Sequence, residues 1–267
     1  MTAEFPNTKT VYGPVPSWRF GESLGIDPIF HRSTCSFNCI YCQLGNIEKV
    51  TTEIKEYVST SRVVADFKEI LGQKKKIDVI TYSGSGEPTL ASNLGEIVIS
   101  LKELAPEIPQ FILTNATELK NPLVQKNLQH MDKVILKLDA GDEKTFNLVN
   151  RPAEGVTLKR VVEGIRSFRE NFKGSVEVQT MFMPIINSHE ISSFAQILKE
   201  INPDFVQLNT PKRAYPLSWH RENRGNHLAV HNHKVRNLRV ISKKEAIKIQ
   251  IKLEELSGLN FYSVYRS

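Results

Sequence analysis

The three cysteines of this 267-residue chain, Cys35, Cys39 and Cys42, all lie within the stretch CSFNCIYC. Three thiolates on one short loop can bind three irons of a [4Fe–4S] cluster, which leaves the fourth iron open to a small molecule. Zinc is an alternative, with His31 as a fourth ligand, although structural zinc usually takes two closely spaced ligand pairs. Three inert, buried cysteines are the remaining alternative. The spacing C-x3-C-x2-C, with no cysteine elsewhere, favours the cluster.

Further candidate residues are polar side chains that each follow an apolar segment. They are the stretch GSGEP at Gly84–Pro88, Asn115, Asp139 and Asn209. In α/β barrels and in open parallel sheets, ligands bind at the carboxyl ends of the strands. We therefore expect these residues to lie near the cysteines, at one end of a sheet.

The elements that position these residues alternate between short apolar strands and amphipathic helices. Runs rich in Val and Ile predict strands, and apolar residues at helical spacing predict helices. The predicted strands are Ser23–Ile29, Ile77–Tyr82, Gln110–Thr114, Lys133–Leu138, Ser175–Met183 and Phe205–Asn209. The predicted helices are Arg62–Leu71, Leu94–Leu104, Leu119–His130, Thr157–Asn171, Glu190–Ile201 and Lys243–Leu256.

This alternation predicts an α/β fold with a parallel sheet and right-handed crossovers. Six strands fall short of the eight that close a full barrel. We expect residues 1–210 to form the core, with the N-terminal segment 1–22 packing on it. Residues 211–267, a basic, His-rich segment followed by a helix, are expected to belong to the same domain.

The stretch CSFNCIYC resembles the signature of the radical S-adenosylmethionine (SAM) enzymes, with Tyr41 at the aromatic position. The stretch GSGEP is similar to the Gly-Gly-Glu-type motif of the same superfamily. The resemblance implies a partial (βα)6 barrel of the TIM type, a [4Fe–4S] cluster on Cys35, Cys39 and Cys42, and SAM on the open iron. It also implies reductive cleavage of SAM to a 5′-deoxyadenosyl radical that abstracts hydrogen from a substrate.

More narrowly, VPSWRFGESLGIDP (residues 15–28), TYSGSGEPTL, LTNA and NRPAEG resemble the wybutosine-synthase-related branch, whose archetype is a 4-demethylwyosine synthase acting on a guanine of tRNA. This chain departs from the archetype because three cysteines leave none for a second cluster. Trp18 stands where relatives commonly have arginine. The Schiff-base lysine of the archetype has no assigned equivalent here.

The resemblance also implies roles in SAM binding at the motif positions. Gly86 and Glu87 would hold the amino group of the methionine moiety, and Tyr41 would pack near the adenine. Asn115 would bind the methionine carboxylate or the ribose. The structural alternatives are an acid at a helix N-terminus for Glu87 and an ordinary turn or N-cap residue for Asn115.

Three later strand-end residues have both a functional and a structural interpretation. The resemblance implies that Asp139 contacts ribose or substrate, that Gln179 meets ribose or adenine, and that Asn209 approaches adenine or substrate. A capping or turn role is the alternative for Asp139 and Asn209. Core packing is the alternative for Gln179, because it alternates with other strand residues.

The basic charge of the chain is concentrated near its C-terminal end. The formal net charge is +6, and residues 211–240 hold seven Lys and Arg against one acid. With Tyr215 and Trp219 for stacking, this composition is consistent with an RNA partner; a solvated charged face is the alternative. The cations proposed for RNA binding are Lys212, Arg213, Arg221 and Arg224.

The same segment contains several histidines. His227, His231 and His233 offer metal ligands because an i, i+4 pair lies on one helical face. A polar loop with incidental histidines is the alternative that composition favours. No apolar run approaches the roughly 20 residues of a membrane span. The N-terminal sequence has no basic start followed by an apolar region, so we expect no signal peptide, a cytoplasmic location and no membrane partner.

Three functional hypotheses follow from these features. The first is a radical SAM enzyme that modifies a tRNA base, reduced by a flavodoxin- or ferredoxin-like electron donor. The second keeps the radical chemistry but has a small-molecule or peptide substrate. The third is a non-catalytic zinc or iron–sulfur protein that binds nucleic acid.

Overall fold

The computed structural model describes residues 9–183, 190–211, 214–225 and 233–265. In these ranges the strands are β1 Val11–Ser17, β2 Gly21–Ile26, β3 Thr34–Cys35, β4 Lys49–Val50, β5 Val79–Tyr82, β6 Gln110–Thr114, β7 Lys133–Lys137, β8 Ser175–Met181, β9 Phe205–Asn209, β10 Tyr215–Pro216, β11 Val235–Arg236 and β12 Phe261–Ser263. The helices are α1 Thr60–Gly72, α2 Leu94–Leu104, α3 Pro122–Leu128, α4 Glu143–Asn150, α5 Leu158–Asn171, α6 Ile191–Ile201 and α7 Lys243–Ser257, with short 3-10 turns at Pro88–Leu90 and Arg221–Asn223.

Eight of these strands form one sheet in the order β1-β2-β5-β6-β7-β8-β9-β12. The six from β2 to β9 are parallel to one another, and helices cross between them. Side chains from all six strands line a single cavity, so the sheet curls around an interior. The predicted α/β partial barrel with six parallel strands is therefore confirmed.

The helices pack on the outer face of the sheet through the apolar stripe that the sequence predicts. In α5, Thr157 caps the first turn by accepting a hydrogen bond from the Arg160 N–H, and the buried stripe runs from Leu158 to Phe168. Phe168 is fully buried and stacks on Phe172. Each such side chain contributes about 1.5–3 kcal/mol when it leaves water.

Both ends of the described chain contribute edge strands that lie outside the six predicted ones. β1 pairs antiparallel with β2, and β12 pairs parallel with β9. The two edges approach each other where the ring of Trp18 meets the ring of Tyr262, with centroids 6.1 Å apart. The N-terminal segment 9–22, through β1, and the C-terminal segment, through β12, thus extend the same sheet as the core.

Element ends differ from the prediction where a local cap decides them. The first parallel strand stops at Ile26, because the Asp27 carboxylate accepts hydrogen bonds from the N–H groups of Ile29 and Phe30. The third helix begins at Pro122 and not at Leu119, since Asn121 caps it.

None of the described helices is long and apolar enough to span a membrane.

Candidate active site

The cysteine loop, residues 35–45, is attached to the loop that follows β5. The Thr34 N–H donates to the Ser85 carbonyl at 3.0 Å, and the Glu87 N–H donates back to the Thr34 carbonyl at 3.0 Å. A Cβ at Gly86 would lie 1.7 Å from the Thr34 oxygen, so only glycine permits this approach. The GSGEP stretch is therefore, first of all, a docking surface for the start of the cysteine loop.

A second attachment comes from the C-terminal end of α4. The N–H of Asn38 donates to the Asn150 carbonyl at 3.0 Å, and the N–H of Ile40 donates to the Val149 carbonyl at 2.9 Å. The ring of Phe37 packs edge-on against Phe146 of the same helix. The loop is thus fixed between two strand-end segments by backbone hydrogen bonds and aromatic packing.

Two asparagine side chains contact cysteine sulfurs directly. Asn115 Nδ2 lies 3.5 Å from Cys35 Sγ, and Asn150 Nδ2 lies 3.5 Å from Cys39 Sγ. Hydrogen bonds to the sulfurs help to set the reduction potential of an iron–sulfur cluster. Asn150 is the first residue of the stretch NRPAEG. It lies 111 positions after Cys39 in the chain, so the sequence alone does not predict this contact. The contact forms because the C-terminal end of α4 lies against the cysteine loop.

Burial raises the pKa of all three thiols. The pKa of Cys35 lies well above its ordinary value because of desolvation, with the nearby charges of Glu87 and Cys39 as smaller causes. Desolvation, followed by the charge of Asp139, raises the pKa of Cys39 to about 12, and desolvation raises that of Cys42. Metal binding requires the thiolates, so this loop must release protons when it takes up iron.

All three cysteines line one cavity of about 210 Å³. In the described ranges no three His, Cys, Asp or Glu side chains are placed to hold one metal ion together. A [4Fe–4S] cluster has a different requirement, because each thiolate binds a different iron. His31, the proposed fourth zinc ligand, is exposed, and its ring packs against Phe30. Gly86, Glu87, Asn115, Gln179 and Tyr41 line the same cavity as the thiols.

Glu87 is buried and bound by its own chain. Its Oε1 accepts hydrogen bonds from Thr89 N–H and Oγ1 and from Thr114 Oγ1, at 2.6–3.0 Å. Its Oε2 accepts from the Asn115 N–H at 2.7 Å. Desolvation raises the pKa of this carboxyl, and the hydrogen bonds oppose the shift. The capping alternative is thus realised, while Oε2 keeps a lone pair for a donor in the cavity.

Asp139 does not face the cavity. Its side chain is 0% exposed and accepts hydrogen bonds from Lys137 Nζ, Met181 N–H, Asn150 Nδ2 and Tyr41 OH. These four donors hold the carboxylate in place, and through it Tyr41 and Lys137. The ribose or substrate contact that the resemblance implies for Asp139 stays a prediction. Lys137, which the sequence does not single out, is the side chain that lines the cavity at this point.

A second, larger cavity of about 340 Å³ adjoins the first, and Tyr41, Cys42, Gly86, Lys137 and Gln179 line both. Asn209 lines this second cavity, where its Oδ1 accepts a hydrogen bond from the Thr210 N–H at 2.9 Å. Gln179 is buried but still reaches both cavities. The barrel interior is thus a continuous space that runs away from the thiols.

The basic C-terminal segment packs against the cysteine loop. The His220 N–H donates to the Leu44 carbonyl at 2.8 Å, and a Cβ at Gly45 would lie 2.0 Å from the Ser218 oxygen. The ring of His233 stacks on that of His220, with centroids 3.5 Å apart. Lys212, Arg213, His227 and His231 lie outside the described residues.

The two described arginines of the RNA prediction are engaged within the protein. Arg224 is buried and pairs with the fully buried Asp27, with 2.7 Å between Nη1 and Oδ2. Arg221 donates to the His31 carbonyl at 2.8 Å, and its guanidinium lies over the ring of Phe30. Arg224, one of the four cations proposed for RNA binding, is therefore buried and paired with a carboxylate, which leaves its charge unavailable to a surface ligand.

Three half-buried cysteines at the carboxyl end of a partial parallel barrel, beside amide donors and a buried carboxylate, define the site of an iron–sulfur enzyme of the barrel type. The family model of the Radical SAM superfamily matches residues 29–198. The chain belongs to this superfamily, whose members are enzymes that use a [4Fe–4S] cluster and SAM and need a reductant such as flavodoxin or ferredoxin. The expected cofactors are confirmed, and the hypothesis of a non-catalytic protein is wrong.

Curated relatives cover most of the chain. A UPF0026 protein of Synechocystis sp. is 43% identical over 227 residues, which is 85% of this chain and 83% of the relative. A UPF0026 protein of Methanocaldococcus jannaschii is 38% identical over 206 residues, 76% of this chain and 63% of the relative.

Solved structures share the fold at low sequence identity. A structure of TYW1 with a lysine-pyruvate adduct bound has a TM-score of 0.57 at 16% identity and covers 88% of this chain and 74% of that one. A structure of anSMEcpe with bound AdoMet has a TM-score of 0.61 at 18% identity, with 90% and 61% covered. These neighbours establish the partial barrel.

Proposed function

We propose that this protein abstracts a hydrogen atom from a compact substrate that lies inside the barrel. When bound, the cluster and SAM supply a one-electron cleavage that yields a 5′-deoxyadenosyl radical. The observation that supports the proposal is the continuity of the two cavities: the wall that carries the thiols also borders a space of about 340 Å³. A recessed barrel interior of this kind limits the access of solvent to reactive species and so reduces side reactions.

The residues of this chain have separable roles in that proposal. Cys35, Cys39 and Cys42 would hold the cluster, and the free lone pair on Glu87 Oε2 would accept a hydrogen bond from the SAM amino group. Tyr41, held by Asp139, closes the cavity wall beside the thiols. Gln179 would bind ribose or adenine, and Asn209, further along the interior, would approach adenine or substrate.

The test uses anaerobically reconstituted protein. We expect about four irons per chain, together with 5′-deoxyadenosine once dithionite and SAM are added. Cys39→Ala should abolish both, because one iron loses its ligand. Ser61→Ala, an exposed hydroxyl deletion at the start of α1, is the matched control and should change neither. Bound zinc in place of iron, or SAM left intact by the reduced wild type, would contradict the proposal.

A second candidate substrate is a base of tRNA, as expected for the wybutosine-synthase-related branch. It is supported by three cations of the C-terminal segment that are exposed, Lys234, Arg236 and Arg239. Exposed cations attract the phosphate backbone, and each phosphate contact adds about 0.9 to the slope of log K against log salt for duplex nucleic acid.

We would measure binding of bulk tRNA between low and physiological salt. Changing Lys234, Arg236 and Arg239 to glutamine should reduce the salt slope by about 2–3. The control changes three exposed lysines away from the C-terminal segment: Lys68 on α1, Lys75 in the loop after α1, and Lys126 on α3. Equal slopes for the two triple variants would leave the small substrate as the better candidate.

A further inference from the structure

One charge inside the barrel has no counter-ion in the part of the chain that the structure describes. Arg19, in the turn between β1 and β2, lines the 340 Å³ cavity and also a neighbouring cavity of about 390 Å³. That neighbouring cavity is bordered by Trp18 on one edge of the sheet and by Val264 beyond the other. Arg19 therefore stands where the interior meets the gap between the two edge strands.

The contacts of the guanidinium include no carboxylate among the described residues. Arg19 Nη1 donates to Gln207 Oε1 at 2.8 Å, and the group lies over the rings of Phe20 and Trp18, 4.7 and 5.9 Å from their centroids. Its Nε is buried and has no acceptor in the described part of the chain. Aromatic faces and one neutral oxygen hold a cation in place without neutralising it.

The nearest carboxylate already has its own cation. Glu177 forms an ion pair with Lys133, and its other oxygen accepts hydrogen bonds from Gln207 Nε2 and Tyr262 OH. Arg19 reaches this group only through the Gln207 amide. The network of Arg19, Gln207, Glu177 and Lys133 therefore carries one positive charge in excess. Desolvation by burial lowers the pKa of Arg19 to about 10, so the guanidinium is still charged at neutral pH.

The other charged side chains that line the 340 Å³ cavity are also positive. The described residues that line the 340 Å³ cavity include Arg19, Lys137 and Arg224, but no Asp or Glu. The carboxylates that pair with Lys137 and Arg224, Asp139 and Asp27, are 0% exposed and lie behind the wall. A solute inside the barrel therefore faces cations, and a buried cation without a counter-ion is costly unless the solute supplies one.

We propose that Arg19 binds the anionic group, a carboxylate or a phosphate, of the substrate inside the barrel. The planar fork of arginine suits both groups, because each can accept two parallel N–H bonds. The inference rests on the proposed function for the identity of the cavity as a substrate site. It adds the chemical class of the substrate and the residue that recognises it.

The experiment measures anion binding without catalysis. Reconstituted protein with SAM, and without reductant, is unfolded thermally in sodium acetate, in sodium phosphate and in sodium chloride at equal ionic strength. A ligand that binds the folded state raises the unfolding midpoint. Stabilisation by acetate above chloride identifies a carboxylate site, and stabilisation by phosphate identifies a phosphate site.

Variants assign the effect to Arg19. Loss of a charge-assisted hydrogen bond weakens binding about 10- to 100-fold, so Arg19→Gln should raise the Kd of the stabilising anion by that factor. Arg19→Lys keeps the charge but loses the planar fork of the guanidinium. Its Kd for the anion should therefore lie between those of the wild type and of Arg19→Gln. Arg166→Gln removes an arginine that is 53% exposed on the outer helix α5 and is the matched control.

Two results would overturn the inference: a wild-type protein that neither acetate nor phosphate stabilises beyond chloride, or equal affinities in wild type, Arg19→Gln and Arg19→Lys. If Arg19→Gln fails to unfold cooperatively, Arg19→Lys carries the comparison. The proposed function fails in a different way, because a wild-type protein can bind the anion through Arg19 and still leave SAM intact after reduction.

Discussion

The cysteine loop and the β1–β2 turn lie beyond opposite ends of β2, and they differ in how their buried charged groups are bound by the chain. At the cysteine end, Glu87 and Asp139 each accept four hydrogen bonds from the chain. At the turn, Arg19 meets two aromatic rings and one amide oxygen. Groups that the chain satisfies are fixed before any ligand arrives, whereas an unmatched charge is available to a ligand.

The largest effect should come from breaking the attachment of the cysteine loop. In Gly86→Ala the new methyl group meets the Thr34 carbonyl at 1.7 Å, so the two loops must separate. Overpacking typically costs about 1–3 kcal/mol; because this clash is with backbone, we expect a loss near the upper end, and an iron content after reconstitution that falls severalfold. Denaturant unfolding and iron analysis measure the two effects.

Gly72→Ala is the control for that variant, because a Cβ at Gly72 meets nothing within 4 Å. It should be neutral or slightly stabilising, since alanine loses less conformational entropy than glycine on folding. If Gly86→Ala bound iron as well as Gly72→Ala does, the close approach of the two loops would not be what holds the cysteines in place.

A second comparison, which concerns stability and not the iron site, sets two arginines of the same cavity wall against each other. Arg224→Leu leaves Asp27 buried without its cation, and breaking a buried ion pair costs about 3–5 kcal/mol. Arg19→Leu removes a charge that has no carboxylate partner among the described residues but leaves the buried Gln207 Oε1 without its donor, so we expect a smaller loss of about 1–2 kcal/mol. Urea unfolding of the two variants gives the difference directly. Similar losses would show that Arg19 has a structural role equal to that of Arg224.

The sequence predicts the parallel strands and most helices because their apolar residues recur with the period of the element. It fails where the chain breaks those patterns. β1 contains Pro14 and Pro16, which argue against a strand, yet an antiparallel edge strand tolerates them. α4 is only eight residues long, and its cap Asp142 resembles a loop residue. β12 has three residues, too few for a pattern.

The candidate site shows the same limit. The cysteines, Gly86 and Glu87 are found from local spacing, since each motif is contiguous in the chain. The contacts of Asn150 with Cys39 and of Arg19 with Gln207 join residues more than 100 positions apart, so no local pattern reports them. The burial of Arg224 was equally hidden, because a cation in a basic segment has the same sequence signature whether it is exposed or paired.

The smallest effect concerns a carboxyl that has few donors and a like charge beside it. Glu190 accepts hydrogen bonds from the backbone N–H groups of Gly141, at 2.9 Å, and of Asp142, and its carboxyl lies next to that of Asp142. Desolvation, with a hydrogen bond to Asp142 as the next cause, raises the pKa of Glu190 to about 7. The folded state therefore binds this proton more tightly than the unfolded state does. Its contribution to stability is complete below the unfolded pKa near 4.5 and is lost as the pH rises through about 7.

Glu190→Gln should remove that dependence, because the amide keeps an acceptor for Gly141 and a donor for Asp142 at every pH. Relative to wild type, we expect the unfolding midpoint of the variant to rise by about 1–3 °C between pH 5 and pH 8. The gain is small because the backbone N–H groups of Gly141 and Asp142 already stabilise the ionised carboxylate of the wild type. Glu87→Gln provides the contrast. Thr114 and Asn115 donate hydrogen bonds to the two carboxylate oxygens of Glu87. A glutamine replaces one of these oxygens by an N–H donor, so this variant should be less stable than the wild type at both pH values. Parallel pH profiles for wild type and Glu190→Gln would mean that the neighbouring Asp142 does not control this carboxyl.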